Sequence, residues 1–319
     1  MNSLMKPVLL AAMVLLLLSG CSAKEQEHNA DGKLKVYTTI FPLEDFAKKI
    51  GGNKVEVESV LPPNVEAHSY EPSAKTMVNM AGSDAFIYTG AGVEGFGDKA
   101  AETLKHENVA IVKAAEGIKL LKGEHHHDED TEHKGPYAEE EEAHGDTDPH
   151  LWLDPLRAIQ IADNIKKSLI SLRPEHKQEF EQNFQKLKTD LTKLDQDFAQ
   201  TIKQSPKKEI LVSHAAYGYW ESRYGVHEIS VMGLSPMEEP SQKTLESVVK
   251  EAKAHSIRYV IFESNISSKI SEIVEKEIGA KPLTLYNLES VPLEAVKNNK
   301  DYISLMRENL KTLKTALAE

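Results

Sequence analysis

Cysteine occurs once in this chain of 319 residues, at Cys21, so no disulfide can form within it. Basic residues are outnumbered, 38 against 50 acidic ones, and the formal charge is −12. No basic patch suggests a nucleic-acid partner. The chain has no H-E-x-x-H pair, no nucleophile elbow and no glycine-rich phosphate loop, so the common signatures of zinc peptidases, serine hydrolases and nucleotide enzymes are missing. The one long apolar run, residues 8–18, is too short for a confident membrane span. Lys6 precedes it and small residues follow it, the pattern of a secretory signal over residues 1–20.

What is present is concentrated in residues 124–148. Five histidines (His125, His126, His127, His133 and His144) lie among eleven carboxylates and a single lysine. This stretch carries most of the net charge, and the remainder of the chain is close to neutral. With no apolar run the segment cannot bury a face of its own, and it reads as a mobile loop over residues 124–147. Imidazole and carboxylate together are ligands for a divalent transition metal. The loop runs into Asp148-Pro149-His150, where ordered sequence resumes.

The length suffices for two domains. In the first half, strands are expected at residues 34–39, 55–61, 85–88 and 109–112, with helices between them. In the second half they are expected at 210–213, 228–231, 259–262 and 283–286, with helices at 241–255, 267–278 and about 299–317. This alternation argues for α/β architecture: two doubly wound lobes, each a parallel sheet with helices on both faces. Asp154-Pro155 opens a helix between the halves as N-cap and N1. From Pro174 to Lys203 there is no further Gly or Pro, and Phe180, Phe184, Leu187, Leu191, Leu194 and Phe198 recur at helical spacing. About 30 residues of helix span about 45 Å, enough for a rigid strut behind both lobes. The expected division is a signal at 1–20, a polar tether at 21–33, a first lobe at 34–153, linker helices at 154–206 and a second lobe at 207–319.

Eight histidines lie outside the loop. Three of them sit at or near expected strand ends: His68, His150 and His214. Ligands of doubly wound sheets bind beyond the carboxyl ends of the strands, so these three would meet in the cleft between lobes. A closed tetrahedral site needs a fourth ligand. Glu289 follows the last strand, and Glu66 lies two residues before His68. Either could serve. Three imidazoles and one carboxylate suit zinc, whereas manganese prefers more oxygen. His28, His106, His176, His227 and His255 read as ordinary surface or core residues, Glu263 as a support to the site, Asp154 as a helix cap, and Trp152 and Trp220 as core.

Leu18-Ser19-Gly20-Cys21 resembles a bacterial lipobox. The chain as a whole resembles the zinc-binding lipoproteins that serve bacterial ABC importers, within a group specific for zinc or manganese. The marks are that lipobox, His68-Ser69-Tyr70-Glu71-Pro72, the segment from Pro149 to Pro155, Ser213-His214-Ala215-Ala216-Tyr217 and Glu239-Pro240-Ser241. The resemblance implies cleavage before Cys21 and a diacylglycerol on its sulfur, a two-chain anchor stable at a membrane surface. It implies zinc as cargo, held by His68, His150, His214 and Glu289, with aspartate in place of Glu289 in manganese relatives and Glu66 as the alternative fourth ligand. It also implies two lobes on one rigid helix, small closure on metal, and a monomer working with a membrane permease and its ATPase at the extracytoplasmic face. The His-rich loop would be an auxiliary, weak collector. The competing expectations are a manganese receptor, a zinc-dependent hydrolase, and a surface adhesin or metal buffer with no transporter.

Overall fold

The computed structural model describes residues 32–123, 147–237, 239–264 and 268–318. The chain starts with β1 (Leu34–Thr38), α1 (Phe41–Gly51), β2 (Val55–Ser59), α2 (Ala74–Ala81), β3 (Ala85–Tyr88), α3 (Gly97–Leu104) and β4 (Ala110–Lys113). The strands form one parallel sheet in the order β2-β1-β3-β4. All four residues of β3 are buried, as expected for a parallel strand covered on both faces. A two-stranded antiparallel hairpin follows, β5 (Leu121–Lys122) with β6 (Thr147–Asp148).

Two long helices come next, α4 (Pro155–Leu172) and α5 (Lys177–Gln204). The second lobe runs β7 (Glu209–His214), α6 (Gly218–Tyr224), β8 (His227–Met232), α7 (Gln242–Ala254), β9 (Tyr259–Glu263), α8 (Lys269–Ile278), β10 (Lys281–Leu285), α9 (Leu293–Lys297) and α10 (Tyr302–Ala316). Its sheet is parallel too, ordered β10-β9-β7-β8. Read from the other edge, that is the order of the first sheet. In each lobe the first strand is central, and the chain switches sides beside it.

The likeness between lobes extends to a hexapeptide. Glu71-Pro72-Ser73-Ala74-Lys75-Thr76 precedes and enters α2, and Glu239-Pro240-Ser241-Gln242-Lys243-Thr244 does the same for α7. Ser73 and Ser241 both cap their helix, accepting the N–H of Thr76 and Thr244 at 3.1 Å from the same extended backbone conformation. Capping of this kind satisfies a helix-end donor that has no partner within the helix.

Helix α5 buries Phe180, Phe184, Leu187, Leu191, Leu194, Phe198 and Ile202 along one stripe. It packs on α4, on α1 of the first lobe and on α10 beside the second sheet. One hydrophobic core thereby runs from Leu34 through the linker helices to Leu317. Separate small cores cover the outer face of each sheet. Trp152 and Trp220 are fully enclosed, and their indole N–H groups donate to Asn287 O at 2.7 Å and Leu153 O at 2.8 Å. Among the described residues no helix is long and apolar enough to cross a membrane.

Several boundaries differ from the sequence expectation. Strand β10 begins at Lys281, two residues early, because it is an edge strand, where Pro282 is tolerated. His214 is the last residue of β7, paired with Met232, and does not merely follow the strand. A single 3₁₀ turn occupies Pro174–His176 before α5 starts. The final helix begins at Tyr302, with the short α9 before it, because Asp301 forms a capping box with Ser304. The β5–β6 hairpin was too short to show a period, and it takes Thr147 out of the expected loop.

Asp301 also joins the lobes. Its carboxylate caps α10 and pairs with Lys49 of α1 at 2.7 Å. Partial burial disfavours its charge, but hydrogen bonds from Lys49 and Ser304 outweigh this and lower its pKa to about 2. A folded pKa below the unfolded value means stability that is fully present above about pH 4 and lost as pH falls toward 2. Asp301→Ala should cost about 1 kcal/mol at neutral pH, the usual value of a lost N-cap. In urea titrations the gap from wild type should shrink between about pH 4 and pH 2. A gap that stays constant over that window would refute the assignment.

Candidate metal centre

Four side chains converge where the carboxyl ends of the two sheets face each other. His68 comes from the loop after β2, His150 follows β6, His214 ends β7, and Glu289 lies four residues beyond β10. One ligand atom from each lies within 4.8 Å of all the others. The imidazole centroids are 5.0 to 5.9 Å apart, so the rings surround one point. His150, His214 and Glu289 are fully buried, and only the His68 side chain, 11% exposed, reaches solvent. A crevice of about 440 Å³ between α1, the loop after β2 and residues 289–301 has Glu289 in its wall.

Local structure aims each group. The Glu66 carboxylate accepts the N–H of His68 at 2.7 Å and of Ser69 at 2.8 Å, which tightens the loop under the first histidine. Gly95 lies against that loop, since a Cβ there would stand 3.3 Å from His68 O. Asp148 accepts the backbone N–H of His150 and faces its Nδ1, both at 2.9 Å. The Nε2 of His150 is thereby turned to the centre. Glu263 stands 2.6 Å from His214 Nδ1. A carboxylate behind a metal-ligating imidazole sets its tautomer and raises its basicity. His214 Nε2 lies 2.9 Å from Leu234 O.

The electrostatics are those of a site with more lone pairs than protons to share. His150 Nε2 and His68 Nε2 face Glu289 Oε1 at 3.3 and 3.5 Å. Those two nitrogens and both Glu289 oxygens are buried without a hydrogen-bond partner. Burial opposes charge on His150, but the Asp148 and Glu289 carboxylates outweigh it and push its pKa up to about 10. Burial likewise opposes charge on His214, and Glu263 outweighs it. For Glu289 burial favours the neutral acid, yet the facing imidazoles of His150 and His68 hold its carboxyl well below the usual range. A divalent cation would compete with protons for these lone pairs.

The structure thus brings together the three histidines and Glu289. Glu66 stands apart, spent on its own loop, where Ser69 also donates its hydroxyl at 2.6 Å. Cys21 and His125, His126, His127, His133 and His144 lie outside the described residues, as does His28. His176 packs edge-on against Phe180, His227 sits between Glu221 and Glu251, and His255 faces Glu209. Asp154 caps α4 by accepting the N–H of Leu156. Sequence reasoning missed the roles of Asp148 and Asn287. Each lies two residues before a member of the cluster, and a polar residue at that spacing was the available signal.

The chain is similar to known proteins in sequence and in fold. The family described as zinc-uptake complex component A, periplasmic (ZnuA) matches residues 36–316. The zinc-binding lipoprotein AdcA of Streptococcus pneumoniae is 36% identical over 307 residues, covering 96% of this chain and 60% of that protein. The high-affinity zinc uptake system protein ZnuA of Bacillus subtilis is 32% identical over 309 residues, covering 96% of this chain and 95% of that one. The crystal structure of the Zn(II)-bound ZnuA-like domain of Streptococcus pneumoniae AdcA matches with a TM-score of 0.74 at 33% identity, over 90% of this chain and 100% of that one. The chain therefore spans about 60% of the length of the AdcA relatives and nearly all of the Bacillus subtilis protein. With two like parallel sheets, a histidine-carboxylate cluster between them and a family match over nearly the whole described length, the chain belongs to the ZnuA family of zinc-uptake components.

Proposed function

We propose that this chain is a zinc receptor at the extracytoplasmic face of the cell membrane, one that captures a single ion and hands it to the permease and ATPase of an ABC importer. The observation that carries this reading is the set of buried, unpartnered ligand atoms on His68, His150 and Glu289 beside His214. Buried polar atoms without hydrogen-bond partners are costly unless a cation completes the cluster. Three imidazoles and one carboxylate are a zinc set. The zinc-bound and zinc-uptake names of the relatives point the same way.

In this reading His68, His150, His214 and Glu289 are the ligands. The enclosed cluster favours a receptor over a hydrolase, because Glu289 occupies the position that a catalytic zinc keeps open for water. A single carboxylate among the four favours zinc over manganese. The units are the lobes at residues 34–153 and 207–319 with the linker helices at 154–206. The core shared through α4 and α5 makes closure on metal small. Lipid on Cys21 holds the receptor, a monomer, beside its permease, whose docking loosens the lobes. The loop histidines raise the local zinc concentration through weak, rapidly exchanging sites.

Capture must displace protons. His150 has a pKa of about 10, and both ring nitrogens of His214 face acceptors. Each zinc bound near pH 8 should therefore expel at least one proton, and affinity should climb as pH rises toward 10. Calorimetry in buffers of different ionisation enthalpy measures the released protons directly, and zero release would sink this account.

Competition titration of zinc against manganese tests metal and site together. The wild-type chain should prefer zinc, and His214→Ala should lose zinc affinity by at least tenfold. Full affinity in the variant would refute the ligand assignment. A chain lacking residues 124–146, which spares β6, should keep one tight zinc and load more slowly at scarce metal. Loss of the tight site would overturn the division between loop and cleft. Zinc uptake should fall in a deletion strain, and unchanged uptake would favour an adhesin or metal buffer.

A further inference from the structure

Asn287 belongs to none of the ligand-bearing strands, yet it touches the supports of three members of the cluster. Its Nδ2 donates to Glu263 Oε2 at 2.7 Å, and the other oxygen of that carboxylate orients His214. Its Oδ1 accepts the backbone N–H of Glu289 at 3.1 Å. Its carbonyl oxygen accepts the indole N–H of Trp152, whose ring lies against His150 with centroids 5.4 Å apart. The side chain is fully buried, and each of its two amide atoms has a partner.

The bond to Glu289 closes an Asx turn, in which an asparagine side chain imitates a backbone turn. The residue inside that turn is Leu288, at φ 67°. A leucine in the left-handed region is uncommon and costs energy. Leu288 is wholly enclosed in the main core, which helps hold it there. Tyr286 on the near side is clamped by Asn309, whose Oδ1 accepts its N–H and whose Nδ2 donates to its carbonyl, both at 2.8 Å. On the far side Phe41 donates to Glu289 O at 3.1 Å, and Asn64 donates to Val291 O at 3.2 Å. The carbonyls of residues 287, 289 and 291 thus all accept donors from the first lobe and linker, and this segment is the seam of the molecule.

We infer that Asn287 is a positioning residue for the zinc site, one amide that locks the Glu289 turn and the Glu263–His214 pair into a single geometry. The roles separate cleanly by atom. The Oδ1 acceptor aims Glu289, the Nδ2 donor fixes Glu263, and the Trp152 tie uses the main chain and survives any substitution. This inference rests on the zinc reading of the cluster.

The test compares Asn287→Ala, Asn287→Asp and Leu305→Ala, the last a core change in α10 that serves as a stability control. Zinc affinity is measured by competition with a chelator. The visible spectrum of the cobalt(II)-loaded chain reports coordination number. Asn287→Ala should weaken zinc binding by about 10- to 100-fold, the usual effect of removing a group behind the ligands, and should lower the cobalt band as Glu289 drifts. Asn287→Asp keeps the acceptor for the Glu289 N–H but sets a second carboxylate against Glu263, so it should weaken zinc binding through His214 while a retained four-coordinate cobalt band shows Glu289 still in place. Leu305→Ala should lower the melting temperature while leaving affinity and band unchanged. Wild-type affinity and spectrum in Asn287→Ala would overturn the inference, and so would an equal loss of zinc affinity in Leu305→Ala. If the wild-type chain itself bound no zinc, the zinc reading and this inference would fall together. Failure of the positioning role alone appears only in the variants.

Discussion

The buried carboxylate of Glu289 is the constraint on which the site depends. It is fully enclosed at the seam, with no hydrogen-bond donor in good geometry and two imidazoles facing it. An ionised carboxylate in such a place is tolerated only when positive charge accompanies it. The His150 imidazole, whose pKa the neighbouring carboxylates raise, can carry part of that charge, and a divalent cation would supply it better. The same buried charge therefore makes the cluster unstable alone and receptive to metal.

Holding that charge in place needs rigidity on both sides, and the architecture provides it. The two sheets share one strand order, and each presents the carboxyl ends of its strands to the cleft. Helix α5 runs behind both and joins their cores into one. The segment from 287 to 291 then bonds across the seam at every second carbonyl. A molecule built this way has little freedom for wide hinge opening. The relation of the lobes is set by packed helices, where a flexible linker would leave it free.

Support for the individual ligands is uneven. His150 and His214 each have a carboxylate within 2.9 Å of Nδ1. His68 is fixed mainly through its main chain, by Glu66 and by the close approach of Gly95. That contrast agrees with its position as the one member of the cluster in reach of solvent. The repeated Glu-Pro-Ser-x-Lys-Thr segments at α2 and α7 are a second kind of regularity, a local helix-start device used once in each lobe.

Much of this was legible in residue order, because the signals were local. Alternating apolar runs announced two parallel-sheet lobes, the stripe from Phe180 to Phe198 announced the long helix, and Asp154-Pro155 announced its neighbour. His68, His150 and His214 stood out as chemistry-bearing residues near strand ends. Local pattern could not decide between Glu66 and Glu289, since each was a plausible carboxylate near a histidine. Tertiary structure placed Glu289 in the cluster and turned Glu66 onto its own loop, because distances between segments some 220 residues apart depend on how the lobes pack. Asp148 and Asn287 were hidden for the same reason. Their importance lies in which groups they reach in space, and a hydrogen bond such as Asn287 to Glu263 leaves no period or motif in the sequence.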